Sequence, residues 1–434
     1  MASGRRRFPR NDPRPICTTS RSRSTTSKDA PLVVCAITMW MEFVPMSMAA
    51  MRMEPRSAGL ELGELSPMPG PGSVAVSVAR PRPATKKRES GASDREWAAP
   101  RDSSTVQCGP VIPLDDIRVA AERIVGHVHR TPTVSSRTLS ELSGAAVVIK
   151  CECFQKTGSF KPRGALNKVL SLSDDERRRG IVTVSAGNHA QAVAWAARSV
   201  GAGCVVVMPE AAPRSKLDAV RGYGAEVILH ADRATLFDRL HQVEAERGMT
   251  FVHPFDDPVV LAGAGTVGLE IVDQVPDVGT VIVPVGGGGL MGGLTSAIKA
   301  LRPRARIVAV ELAEGPGLGP ALAAGKPIPV SRPAETLADG MTPPFVGALP
   351  MTIARDAVDA IVTVTEREII EAMRLLMTRA KLFVEGSGAA ATAAILARKV
   401  EARGQGPVVA IVSGGNVDPE RLRVVFERTA EVAA

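Results

Sequence analysis

In the run KTGSFKPRGA, from Lys156 to Ala165, a lysine stands between an aromatic ring and a proline, the setting of a nucleophilic amine. Burial disfavours the charged form of an amine, so a lysine held in an apolar pocket stays largely neutral and can attack a carbonyl. Alone, Lys161 reads first as a structural lysine, and three further stretches decide whether it has something to react with. SAGNHAQA, from Ser185 to Ala192, follows an apolar run and opens a helical one. Backbone N–H groups at a helix N-terminus suit a carboxylate, and Asn188 adds a side-chain donor. A plain capping turn would explain Gly187 and Asn188 but not His189 and Gln191 in the same turn. VGGGGLMGG places Gly286 to Gly289 between a strand and a helix, where an unshielded backbone can wrap a phosphate. No Lys-Ser/Thr follows, so it is not a nucleoside triphosphate loop. SGGN, Ser413 to Asn416, ends the last apolar run and offers a hydroxyl to a heterocyclic nitrogen.

These stretches need elements that hold them. From Val111 onward, Val/Ile-rich runs alternate with helical ones: AAVVIK, GIVTVS, GCVVVMP, AEVILH, TVIVPVG, RIVAVEL and PVVAIVS are each followed by a helical pattern or a turn. A helix is predicted behind Pro113, and another from Arg163. Continuous apolar strands followed by helices predict parallel sheets covered on both faces. In such sheets ligands bind at the C-terminal strand ends, where all four stretches lie.

Residues 1–111 read differently, as a low-complexity basic extension, disordered or non-native, ahead of a catalytic domain over 112–434 whose smaller lobe spans about 180–258. Residues 1–110 carry 17 Lys and Arg against 10 Asp and Glu, nearly all of the net charge of +8, so the basic character says nothing about the body's substrate. The apolar island PLVVCAITMWM is shorter than the roughly 20 residues of a membrane span. Arg5, Arg6 and Arg7 lie too far ahead of it for an export signal. Aromatic content of 3% leaves little to stack on single-stranded nucleic acid. The six cysteines form no C-x-x-C pair and read as free thiols of a cytoplasmic protein. No membrane or nucleic-acid partner is expected.

GAGTVG, Gly263 to Gly268, matches a dinucleotide fingerprint, but HPFDDPVVLA before it holds two prolines and no clean strand, and no acid ends the next strand. It is read as the start of a helix.

Taken in order, the four stretches resemble those of fold-type II pyridoxal phosphate (PLP) enzymes, in particular the threonine/serine dehydratase and serine racemase family. The resemblance covers about residues 112–434. It implies a tryptophan synthase β-like α/β fold, with two open parallel-sheet lobes and the cofactor between them. It implies that Lys161 holds the cofactor's aldehyde and serves as acid and base, that Phe160 flanks the pyridine ring and that Asn188 meets the ring's 3-oxygen. It implies further that Gly286, Gly287, Gly288, Gly289 and Leu290 bind the phosphate, that Ser413 meets the ring nitrogen, and that Ser185, Ala186, Gly187, Asn188 and His189 bind the substrate carboxylate. A neutral serine at the ring nitrogen favours β-elimination over transamination. The implied reaction takes L-threonine to 2-oxobutanoate and ammonia, and L-serine to pyruvate and ammonia, in a homo-oligomer, dimer or tetramer.

The sequence departs from the family in three places. LADGMTPPFVGALP keeps Asp339-Gly340 and then diverges, which touches substrate size. Glu311 matches one ligand of the family's divalent-metal site, but Gly317 stands where the second carboxylate belongs, so no metal is expected. Only 18 residues follow Asn416, so a short form without a C-terminal regulatory domain is expected. The alternatives are action on another 3-hydroxy amino acid such as 3-hydroxyaspartate, serine racemisation, cofactor binding without activity, and an NAD-dependent oxidoreductase. In the racemases a serine stands where this chain has Ala186.

Overall fold

The computed structural model describes residues 97–98, 112–331, 333, 335–401 and 406–427. Strand β1 (Trp97–Ala98) precedes helix α1 (Leu114–Ile124), which starts behind Pro113 with Asp115 and Asp116 in its first turn. Acids there complement the positive end of the helix dipole. β2 (Thr133–Ser135), α2 (Arg137–Ser143) and β3 (Val147–Cys151) lead into α3 (Lys161–Ser171), which begins two residues earlier than the pattern predicts. α4 (Asp174–Arg179) is opened by a capping box in which Ser173 and Glu176 bond each other's backbone.

The chain then builds a smaller sheet from β4 (Ile181–Val184), β5 (Cys204–Pro209), β6 (Glu226–His230) and β7 (Thr250–Phe251). Between them run α5 (Asn188–Ser199), α6 (Arg214–Gly222) and α7 (Leu236–Arg247). The order is β6-β5-β4-β7, parallel throughout. α8 (Pro258–Gln274) returns to the larger sheet, which continues through β8 (Thr280–Pro284), α9 (Gly289–Leu301), β9 (Arg306–Leu312), α10 (Leu318–Ala324) and α11 (Ala348–Ala357). β10 (Ala360–Val364), α12 (Glu366–Leu375), α13 (Gly386–Leu396), β11 (Val408–Val412) and α14 (Pro419–Glu427) complete it.

The larger sheet has the order β1-β10-β9-β8-β11-β3-β2, parallel except at its two edges. Every residue of β4, β5, β8 and β11 is buried, which is why these strands are unbroken apolar runs. The fold-type II expectation holds. Of the supposed extension, only Trp97 and Ala98 are described, and they pair with Ile361 and Ala360 at the sheet's edge. The rest of residues 1–111, and with it the expected extension, lies outside the described residues.

The fingerprint-like GAGTVG sits in the middle of α8, not at its start. Its glycines serve packing. A Cβ on Gly263 would stand 2.4 Å from the Arg163 carbonyl oxygen, one on Gly265 2.9 Å from that of Gly293, and one on Gly268 2.7 Å from the Ala297 Cβ. Removing three side chains lets α8 lie directly on α3 and α9, the helices behind the lysine and glycine stretches. This packing outweighs the poor helix propensity of glycine.

Candidate active site

β8 and β11 are neighbours in the larger sheet; from β8 the chain runs on to β9 on one side, while β3, on the far side of β11, leads away into the smaller sheet. Such a switch point opens a crevice at the strand ends. The glycine stretch leaves β8 there, and Ser413 leaves β11. In the smaller sheet β4 lies between β5 and β7, and Ser185 to Asn188 leave its end. The two crevices face one cavity of about 1820 Å³, lined among others by Phe160, Lys161, Ser185, Ala186, Gly187, Asn188, His189, Gly286 to Gly289, Leu290 and Ser413. All the residues picked from the sequence are brought together, and the volume holds a cofactor and a small substrate.

Lys161 reaches the cavity from the first residue of α3. Its Nζ donates to the Pro254 carbonyl at 2.8 Å and lies 5.1 Å from the centre of the Phe160 ring. Burial lowers the amine to about 8. The turn before it is sewn to the serine turn: Phe160 N donates to Ser413 O at 3.0 Å, Gly415 N to Gly158 O at 2.8 Å, and Ser159 bridges Gly414. Thr157 holds a positive φ of 56°, a strained conformation for a β-branched residue, and its carbonyl accepts from Asn416 Nδ2 at 2.7 Å.

The glycine stretch has no room for side chains. A Cβ on Gly287 would stand 2.2 Å from the Phe255 ring, one on Gly288 2.5 Å from Pro350, and one on Gly286 2.7 Å from the Gly340 carbonyl. Gly288 also has φ +91°, left-handed backbone that a side chain would strain. The stretch ends at the N-terminus of α9, whose first N–H groups have no partner within the helix. Asp256, next to Phe255, accepts from the N–H groups of Ala348 and Leu349 at 3.0 Å each and anchors α11 over the loop.

At the asparagine stretch, Ser185 Oγ accepts from Gly187 N at 3.1 Å, and Asn188 Nδ2 donates to Glu385 Oε1 at 2.6 Å. The His189 ring turns under the loop, with Nε2 3.1 Å from the Val252 carbonyl. Burial, with the Lys161 charge nearby, holds His189 well below its usual value, so the ring is neutral. Ser413 Oγ donates to Ser387 O at 3.3 Å. Glu311 accepts from the N–H groups of Gly317, Leu318 and Gly319 at 2.7, 2.5 and 3.0 Å and so anchors the start of α10.

Sequence reasoning does not single out Pro254, Phe255, Ser387, Asn416 and Glu385 as site residues. The signals lie in HPFDD, VEGSG and SGGN, but the first reads as strandless and the second as a helix.

A flat heteroaromatic aldehyde phosphate fits this cavity. The glycine loop presents bare backbone to the cavity, since any Cβ on Gly286, Gly287 or Gly288 would collide with Gly340, Phe255 or Pro350; the lysine amine lines the same cavity, and among the described residues the Ser387 hydroxyl in its wall has no partner. The comparisons agree. The sequence family described as pyridoxal-phosphate dependent enzyme matches residues 124–414. The chain belongs to the pyridoxal-phosphate dependent enzyme family. It is 44% identical over 324 residues to an L-threonine ammonia-lyase of Geobacter sulfurreducens, covering 73% of this chain and 79% of that one. It is 42% identical over 335 residues to a catabolic L-threonine dehydratase of Staphylococcus aureus, covering 76% and 96%. Among solved structures it resembles maize serine racemase (TM-score 0.68, 38% identity, 74% and 98% covered) and the processed form of threonine deaminase isoform 2 from Solanum lycopersicum (TM-score 0.70, 31% identity, 77% and 97% covered). PLP is therefore the cofactor.

The lowered amine makes a testable statement about loading. With its value at about 8, roughly a quarter of Lys161 is neutral at pH 7.5, against about a thousandth for an ordinary lysine. Capture of PLP by the cofactor-free protein, followed by stopped-flow absorbance, should accelerate between pH 6 and 8 and level off above. A rate still climbing steeply toward pH 10 would show an unshifted amine.

Proposed function

We propose that this PLP-dependent enzyme is an ammonia-lyase that takes L-threonine to 2-oxobutanoate and L-serine to pyruvate, each with ammonia. The relatives' names support threonine as substrate; serine differs only by a methyl. The observation that carries the reading is Ser413, a neutral hydroxyl at the strand end against which the lysine turn is bonded, lining the same cavity as Lys161. When bound, PLP supplies an electron-accepting ring that stabilises charge developing at a substrate's α-carbon. Ser413, a neutral partner, would leave the ring nitrogen unprotonated, which suits loss of a β-hydroxyl. Lys161 would hold the cofactor's aldehyde, and its amine would take the α-proton. Phe160 would flank the ring and Asn188 its 3-oxygen. Gly286 to Gly289 and Leu290 would hold the phosphate. Ser185, Ala186, Gly187, Asn188 and His189 bind the substrate carboxylate, chiefly through backbone N–H groups at the start of α5, because the His189 ring faces Val252. The homo-oligomer and the cytoplasmic setting remain part of this proposal. Among the described residues no helix is long and apolar enough to cross a membrane, and Cys151, Cys153 and Cys204 are free thiols. Ketoacid release from a panel of 3-hydroxy amino acids tests the reading; 3-hydroxyaspartate turning over faster than threonine and serine would replace it.

The likeness to serine racemase favours a second reading, and Ala186 weighs against it. Racemisation needs a proton donor on the face opposite Lys161, and the methyl of Ala186, which lines the cavity, has none to give. Serine recovered after partial turnover of L-serine should contain D-serine formed at least about a hundredfold more slowly than pyruvate. Comparable rates, read by chiral chromatography, would make the chain a racemase.

A further inference from the structure

Glu385 immediately precedes α13 and is 3% exposed, yet the reaction above gives it no task. A buried carboxyl lining a cofactor cavity calls for a reason. The hydrogen-bond chain around it supplies one. The Thr157 carbonyl can only accept, so the Asn416 atom 2.7 Å away is its nitrogen. That same nitrogen lies 2.8 Å from Asn188, so the Asn188 atom facing it is the carboxamide oxygen. The Asn188 nitrogen therefore faces Glu385, and Glu385 Oε1 accepts from it at 2.6 Å. One N–H of Asn188 is left over for the cavity. Two glycines make room for the two holders. A Cβ on Gly158 would stand 2.4 Å from Asn416 Oδ1, and one on Gly414 2.2 Å from Glu385 Oε1.

We propose that Glu385 is a positioning residue of the cofactor site, fixing the Asn188 carboxamide so that its remaining N–H meets the oxygen substituent of the PLP ring. This rests on the role given to Asn188 above. The groups facing Glu385 explain the form in which it works. Asp339 comes from the turn Asp339–Met341, Lys216 from α6, and Asn188 from α5. Lys216 is ion-paired to Asp339, and Arg421 of α14 lies 3.9 Å from the same carboxylate, so both cations face Asp339. The segment after β11 contributes Ser413, Asn416 and backbone, and Asp418, which accepts from Ser215, shares a small neighbouring pocket with Glu385. Burial first, and then the Asp339 charge, raise the Glu385 carboxyl to about 8, with Lys216 and the Asn188 bond opposing. At pH 7 Glu385 is thus a neutral acid that accepts through Oε1; above pH 8 it places a negative charge beside the asparagine and the ring.

The test uses PLP as its probe, with affinity and visible absorbance as readouts independent of turnover. Glu385→Gln keeps a neutral acceptor of the same shape and should bind PLP within about threefold of the parent. Glu385→Ala should weaken PLP about tenfold, the worth of one hydrogen bond. In the loaded parent the absorbance band should shift with a midpoint near pH 8. Glu385→Gln should abolish that shift, and Asp339→Asn should move it to lower pH. Parental affinity in Glu385→Ala, or an unaltered pH shift in the isosteric Glu385→Gln, overturns the proposal. Asn188→Ala separates the two layers: parental PLP affinity there sinks the role of Asn188 itself, whereas weakened binding in Asn188→Ala but not in Glu385→Ala sinks only the inference about Glu385.

Discussion

Lys161→Ala should abolish ketoacid release from L-threonine, by at least about a thousandfold in kcat, while leaving the fold intact. Among the described residues two lysines line the cavity, Lys161 and Lys216, and the second is ion-paired to Asp339. Only Lys161 stands at a helix start with its charge disfavoured by burial. Replacing it by alanine removes one hydrogen bond, to the Pro254 carbonyl, and also removes an amine that is costly to keep charged there. Its folded value lies below the unfolded one, so between about pH 8 and the ordinary lysine value the parent gains stability as pH rises. The variant should lose that slope and melt within a few degrees of the parent at pH 7. Borohydride should fix PLP to the parent and not to the variant. Turnover within tenfold of the parent, in a preparation free of parental protein, would move the chemistry to another residue.

What could be read from the sequence was what chemistry forces on residue type. A loop that lies against other backbone must be glycine, so Gly286 to Gly289 announce themselves, and Phe255 at the distance of a missing Cβ shows why. An amine between an aromatic ring and a helix start is equally visible. Glu385 was not legible, because its meaning comes from Asn188, 197 positions away in the chain, and nothing in VEGSG states which neighbour a glutamate will find. Pro254 acts through its carbonyl, which every residue possesses. GAGTVG misleads because glycine-rich runs disfavour a helix interior and so read as a helix start, but contact with α3 and α9 requires its glycines at mid-helix. β1 escapes notice because two residues carry no period.

Arg163, two positions beyond the reactive lysine, carries the largest expected effect on stability. It is 1% exposed, and Glu152, its partner, is 0% exposed. Arg163 Nε and Nη2 donate to Glu152 Oε2 and Oε1 at 2.8 and 2.9 Å, and Nη1 and Nη2 donate to Glu270 at 2.7 and 3.0 Å. Lys150, also fully buried, donates to Glu270 Oε2 at 2.5 Å. Two acids and two bases thus balance in a largely buried site joining β3, α3 and α8. Burial alone would raise the Glu270 carboxyl, but Arg163 and Lys150 hold it below its usual value. Removing the guanidinium leaves Glu152 buried with, among the described residues, the Thr131 hydroxyl at 2.5 Å to bond it. Breaking a buried pair from one side costs about 3–5 kcal/mol, so Arg163→Ala should lower the melting temperature by roughly 10 °C. The loss comes from the stranded charge rather than from a favourable pair, and that distinction can be measured. Arg163→Met with Glu152→Gln removes one charge of each sign and keeps the Lys150–Glu270 pair. It should recover more than half of the loss, because a neutral amide and an apolar chain need far less solvation than an unpaired carboxylate. Melting curves of the single and paired variants decide it. A paired variant no more stable than Arg163→Ala would mean that the guanidinium's geometry, and not charge balance, ties the lysine helix to the sheet.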